Sequence, residues 1–136
     1  MADAVVADPV MADAGPVTVR ARCRWNDTGI RLEAGRLYDL AAEGEWIDWV
    51  IRSGPEGNTA PGWTQRLAAR WLRLPGAPYF CLVGALDCNP DTAFAIGRGM
   101  RLGPPRSGQL WCFANDVPGM YWNNRGAVRL SLRRID

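Results

Sequence analysis

Near the end of the chain Val128, Leu130 and Leu132 alternate with Arg129, Ser131 and Arg133. Successive strand residues point to opposite faces, so this run predicts a half-buried β-strand with one wet side. Runs that alternate or are rich in β-formers recur upstream: 16-PVTVRARCRW-25, 37-LYDLAAEG-44, 46-WIDWVI-51, 79-YFCLVGAL-86, 93-AFAIG-97 and 108-GQLWCFAND-116, before the final 127-AVRLSLRRI-135. Turn signals lie between them: 26-NDTG-29, 33-EAG-35, 53-SGPEGN-58, 75-PGAP-78, 103-GPP-105 and 118-PG-119. Many short strands spaced in this way predict an all-β domain, a β-sandwich or jelly roll. One segment departs from the pattern. In 63-WTQRLAARWLRL-74 the residues Trp63, Leu67, Trp71 and Leu74 recur at helical spacing, with Arg66, Arg70 and Arg73 on the other side. This predicts one short amphipathic helix near 63–74, its apolar stripe packed on the sandwich and its Arg face in water.

Within the strands, Trp25, Trp46 and Trp111 are expected in the core. Trp49 alternates with Ile47 and is expected there too. Asp48, between them, is expected on the wet face of its strand, with a second carboxylate at a metal as the alternative.

The chain has 136 residues, enough for one domain with one core. Residues 1–15, Ala- and Asp-rich, are expected to form a flexible tail and residues 16–136 the domain. That N-terminus lacks the positive start and long apolar run of a secretory signal, so a cytoplasmic protein, or one released without a signal peptide, is expected. No apolar run is long enough to cross a membrane. The net charge is +2, and acidic residues nearly balance the arginines, which argues against nucleic acid as a partner.

Composition narrows the chemistry. The sequence contains no His, and all 16 basic residues are Arg. The commonest general base, Ser-His-Asp and Cys-His nucleophiles and Schiff-base lysines are therefore excluded. A carboxylate pair of the glycosidase kind is the remaining catalytic device, and a non-enzyme is expected. Cys23, Cys81, Cys88 and Cys112 form no C-x-x-C pair and read as reduced core residues, with a Cys81–Cys88 bridge as the alternative.

The connection 115-NDVPGMYWNNRG-126 is long for two neighbouring strands. Val117-Pro118-Gly119-Met120 predicts a type II turn, with Pro setting φ and Gly supplying φ > 0. Asp116 offers a carboxylate, Asn123 and Asn124 offer amide oxygens, and Met120 a carbonyl. Hard oxygens with no nitrogen or sulfur ligand nearby suit Ca²⁺. The loop alone supplies too few to complete a calcium shell. Asn and Gly also shape turns without any metal, and both readings stand on the loop's residues.

The run 115-NDVPGMYWNNRGAVRLSL-132 resembles the C-terminal signature of the small bacterial calcium-dependent galactose-binding lectins, the PA-I-like galactophilic family. Weaker similarities lie in 35-GRLYDLAAEGEW-46 and 84-GAL-86. The resemblance implies a jelly-roll sandwich with Ca²⁺ at one end and two vicinal sugar hydroxyls entering the calcium shell. By position, Asp116, Asn123 and Asn124 would bind Ca²⁺ through side chains, and Met120 and Trp49 through their carbonyls. Asp116, Val117 and Asn123 would also touch the sugar, with Trp122 as a stacking platform. The family's sugar readers in the middle segment, a His and a Gln, have no counterpart in the motif here, and Met120 and Trp122 replace a Thr and a Gly. The function expected is calcium-dependent carbohydrate binding. The alternative is a calcium-stabilised protein-interaction module that binds no sugar. A single shallow sugar site is weak and several copies multiply avidity, which favours a homo-oligomer.

Overall fold

A computed structural model describes residues 13–136; the remainder of the expected N-terminal tail lies outside the described residues. The strands are β1 (Asp13–Arg20), β2 (Asn26–Leu32), β3 (Tyr38–Asp48), β4 (Ile51–Ser53), β5 (Leu82–Leu86), β6 (Phe94–Ala95), β7 (Gly99–Leu102), β8 (Gly108–Ala114) and β9 (Asn124–Arg134). The helix α1 spans Trp63–Ala68 and continues as a 3-10 turn, Ala69–Trp71. One sheet runs β1-β9-β3-β4, with β7 pairing β3 beside β4, and the other runs β2-β8-β5-β6. Every pairing is antiparallel. The two sheets enclose a core containing Val19, Leu32, Tyr38, Trp46, Leu82, Leu110, Val128 and Leu130, which makes the β-sandwich that the alternation predicts.

The last strand behaves as its pattern requires: Val128, Leu130 and Leu132 are buried, and Arg129, Ser131 and Arg133 are exposed. Other details differ. The predicted strands 37–44 and 46–51 are largely one, β3, which reverses at Trp49–Val50 into β4. The chain enters the first sheet at Asp13, ahead of the expected boundary at residue 16. The run 16–25 leaves the sheet after Arg20. The next strand then begins at 26-NDTG-29, where a turn was expected, with a register shift between Asp27 and Ile30. Polar side chains make this possible. Buried Asn26 accepts from the Arg20 N–H at 2.8 Å and donates to the Cys112 carbonyl at 3.1 Å. Thr28 Oγ1 donates to the Leu110 carbonyl at 2.6 Å. Strand β7 alternates, with Met100 and Leu102 toward the core and Arg101 in water, but its four residues are too few for the pattern to stand out in the sequence.

The segment 63–74 corrects the sequence expectation most sharply. The helix is one short turn and a half, and its apolar stripe faces outward: Trp63 is 73% exposed, Leu67 63% and Trp71 55%. Buried instead are Gln65 and Leu72, with Leu74 packed against a small cluster of Cys81, Val83 and Phe113. Helical spacing identified two unlike faces, but neither is the buried one: Arg66 and Arg70 are exposed as well, and the side that turns inward is the one carrying Gln65. Asn58 Nδ2 donates to Gln65 Oε1 at 2.7 Å, turning that face inward. Nor is the Arg face wholly in water, since the Arg73 guanidinium lies 3.4 Å from the Phe113 ring centroid.

All four cysteines are free thiols, with Cys81 and Cys112 buried and Cys23 and Cys88 half-buried. Trp46 is fully buried, and its Nε1 donates to the Phe80 carbonyl at 3.1 Å. Trp25 and Trp111, expected in the core, are only half-buried.

Candidate cation and ligand site

At one end of the sandwich the inner face of the first sheet turns polar. Asp48, the last residue of β3, stands opposite Asn124, the first residue of β9. Both are buried, Asp48 at 8% exposure and Asn124 at 0%. The expectation that Asp48 lies on the wet face is therefore overturned. Its strand parity gives the reason: Asp48 is two residues from Trp46 and shares its inward side. A carboxylate at a core-facing position was the available sequence signal.

The 115–123 loop closes over this pair. Met120 N–H donates to the Val117 carbonyl at 3.0 Å and Gly119 has φ +91°, as the Pro-Gly turn demands. Asp116 is completely buried. Its Oδ2 accepts from Asn124 Nδ2 at 2.9 Å, and its Oδ1 accepts from the Val117 N–H at 2.7 Å and the Tyr79 hydroxyl at 3.2 Å. Asn115 serves a different purpose. Its Oδ1 accepts from the Leu74 N–H at 2.9 Å, and its Nδ2 donates to the carbonyls of Leu74 and Pro78 at 2.9 and 3.0 Å. The length of the connection thus serves two tasks: it pins the 74–78 segment and brings Asp116 to Asn124.

Asn123 ends a 3-10 turn, and its carbonyl accepts from the Trp49 N–H at 3.0 Å. Trp49 sits in the left-handed region at φ +58° and is 64% exposed, not in the core. A hairpin reversal rather than a continuing strand accounts for that. The Trp49 carbonyl accepts from Arg125 Nη2 at 3.3 Å.

These groups border a cleft of about 300 Å³ lined by Asp48, Trp49, Tyr79, Met120 and Asn123, with Thr64 and Gln65 of α1 forming another wall. That volume is at the small end of ligand pockets. Of the residues expected at the site, Asp116 and Asn124 are hydrogen-bonded together, while Asn123, Met120 and Trp49 line the cleft. Val117 contributes its N–H to Asp116. Trp122 is 66% exposed and does not line the cleft. Sequence reasoning missed Thr64, Gln65 and Tyr79, which are carried in by the unexpected orientation of α1 and by the 74–81 segment.

The electrostatics are unfavourable as they stand. Burial, then the nearby Asp116 charge, raise the Asp48 pKa from 3.8 to about 6, with Gln65 partly offsetting them. Burial also raises Asp116, against the lowering effect of bonds from Asn124, Val117 and Tyr79. The Tyr79 hydroxyl is pushed well above its ordinary range by burial and by both carboxylates. Among the described residues every ion pair is made elsewhere, and neither carboxylate has an Arg partner. Two amide oxygens, Asn123 Oδ1 and Asn124 Oδ1, are buried without a hydrogen-bond partner. Among the described residues no three His, Cys, Asp or Glu gather in one place. The polar groups at this end of the sandwich are carboxylate and amide oxygens, the chemistry that a hard divalent cation such as Ca²⁺ takes.

No protein-family model matches this chain, and no curated protein sequence matches it at a significant level. Among the described residues no helix is long and apolar enough to cross a membrane. The structure is similar to a solved one described as the EclA N-terminal domain, a PllA-like lectin, with 21% identity, a TM-score of 0.64, and coverage of 87% of this chain and 93% of that chain. At that identity the likeness is one of fold: it supports the β-sandwich and does not extend to the PA-I-like galactophilic family that the loop resembles.

Proposed function

We propose that this domain binds carbohydrate through a calcium ion held at the 115–124 loop, and that it is not an enzyme. The observation that carries the reading is the pair of buried amide oxygens without a hydrogen-bond partner, Asn123 Oδ1 and Asn124 Oδ1, together with the buried Asp116 carboxylate that Asn124 bonds. An unmade bond on a buried polar group costs about 1–3 kcal/mol, and a divalent cation would satisfy both oxygens and the charge together. Asp116, Asn123 and Asn124 would hold it by side chains, and Met120 and Trp49 by carbonyls. The ion supplies a Lewis-acidic centre for sugar hydroxyls. The small cleft suits one or two saccharide rings, Asp116, Val117 and Asn123 would contact them, and exposed Trp49 on the cleft wall offers an indole face for stacking, while Trp122 is exposed outside the cleft. The lectin-type fold of the solved neighbour agrees with this reading.

A second reading is favoured by one observation. The outward stripe Trp63, Leu67 and Trp71 is what an interface with another protein would use, which suits a calcium-stabilised interaction module without sugar. Two measurements decide. Millimolar Ca²⁺ should raise the melting temperature by about 10 °C if the ion is near a hundredfold over its Kd, and EDTA should reverse it. No shift removes both readings. A glycan array with and without Ca²⁺ then separates them: calcium-dependent hits mark a lectin, an empty array the interaction module.

A further inference from the structure

We infer that Asp48 is itself a ligand of the bound cation, so that the cage carries two carboxylates rather than the single one supplied by the 115–124 loop; this rests on the calcium reading above. The loop motif gives no hint of it, because Asp48 arrives from β3, on the other side of the site. Three observations converge. Asp48 is the β-ladder partner of Asn124, whose side chain is fully buried, bonds Asp116 through Nδ2, and leaves Oδ1 unpartnered. Asp48 lines the cleft beside Asn123, the other residue with an orphaned amide oxygen. Among the described residues neither Asp48 nor Asp116 has an arginine within ion-pair distance.

Two buried like charges at the end of an apolar core destabilise the empty protein. A divalent ion between them makes the set neutral, which gives a reason for a carboxylate at a position where the strand pattern calls for an apolar residue. Trp49 adds a complementary point. Its carbonyl accepts from Arg125 at 3.3 Å and keeps a second lone pair, so this hairpin offers the ion both that carbonyl and, one residue earlier, the Asp48 carboxylate. The neutralised cage then favours uncharged vicinal hydroxyls over anionic sugars.

The test is calorimetric titration of Ca²⁺ into the wild type, Asp48→Asn and Asp48→Ser, with melting curves in EDTA and in Ca²⁺. The wild type should bind, and both variants should bind about tenfold or more weakly, since ligand charge sets calcium affinity. In EDTA, Asp48→Asn should melt above the wild type because a repulsion is gone, while its gain from Ca²⁺ shrinks. A residue needed only for folding would lower both curves together. Terbium luminescence lifetimes give a second readout: loss of a carboxylate ligand should admit about one more water to the ion. Wild-type affinity retained in both variants, with an unchanged water count, overturns the role of Asp48 and leaves the calcium reading standing. No binding by the wild type overturns the calcium reading as well.

Discussion

Asn115 and Asn123 lie in the same connection, and their side chains are used in opposite ways. Asn115 is fully buried with its amide satisfied on both sides by the 74–78 backbone. Asn123 is half-buried, and its buried Oδ1 has no partner. Asn124 is intermediate: Nδ2 is bonded to Ala21 and Asp116, and Oδ1 to nothing. An amide that closes its own hydrogen bonds builds structure. One that leaves an acceptor unmet inside the protein carries a standing cost that only something from outside can relieve. Residue type does not separate the two; the bonding does.

The strongest test of that contrast is Asn115→Ala. It strands the Leu74 N–H and several carbonyls of the 74–78 segment, so the loss should be about 3 kcal/mol. Urea denaturation should show a lower midpoint by the same amount with and without Ca²⁺. A deficit that Ca²⁺ repairs would mean that Asn115 belongs to the cation site after all.

The next effect concerns the charges beneath the loop. Asp48 has a folded pKa raised from 3.8 to about 6. A raised carboxyl contributes stability that is fully present below the unfolded value and is lost as pH climbs through the folded one. In EDTA, the wild type should therefore lose stability relative to Asp48→Asn between about pH 4 and pH 7, by at most about 3 kcal/mol. Asp116, raised in the same direction by burial, is present in both proteins and leaves their difference to Asp48. Denaturant midpoints of the two proteins across that range give the difference directly. Parallel profiles would show that neither burial nor the Asp116 charge raises the Asp48 carboxyl.

Much of this was readable beforehand, and the failures have physical causes. Alternation located β9 and its buried Val128, Leu130 and Leu132, and the Pro-Gly signal gave the turn at 117–120, because both depend on local geometry. The polarity of Asp48 suggests a wet face, but its parity with Trp46 points inward, and period prevails. The exposure of Trp49 is not legible in the sequence, because nothing local announces a reversal at a Trp with φ > 0. The face of α1 turned inward is decided by Asn58, which bonds Gln65 from outside the helix, and a periodic pattern carries no record of such a partner. Asn115, Asn123 and Asn124 are identical letters whose difference lies in contacts with residues distant in sequence.

The smallest expected effect is also the most discriminating. Asn123→Ala removes an oxygen that has no partner, so the ion-free protein should change by no more than about 0.5 kcal/mol, and relief of the unmet acceptor could make the change favourable. Its carbonyl bond to Trp49 belongs to the backbone and survives. The calcium-induced rise in melting temperature should nevertheless shrink, because the cation loses one of its side-chain oxygens. Set beside Asn115→Ala, the two substitutions should cross: one lowers stability and spares the calcium response, the other spares stability and lowers the response. If Asn123→Ala instead unfolds the domain as Asn115→Ala does, its oxygen was serving the fold, and the distinction drawn from the unpartnered atom fails.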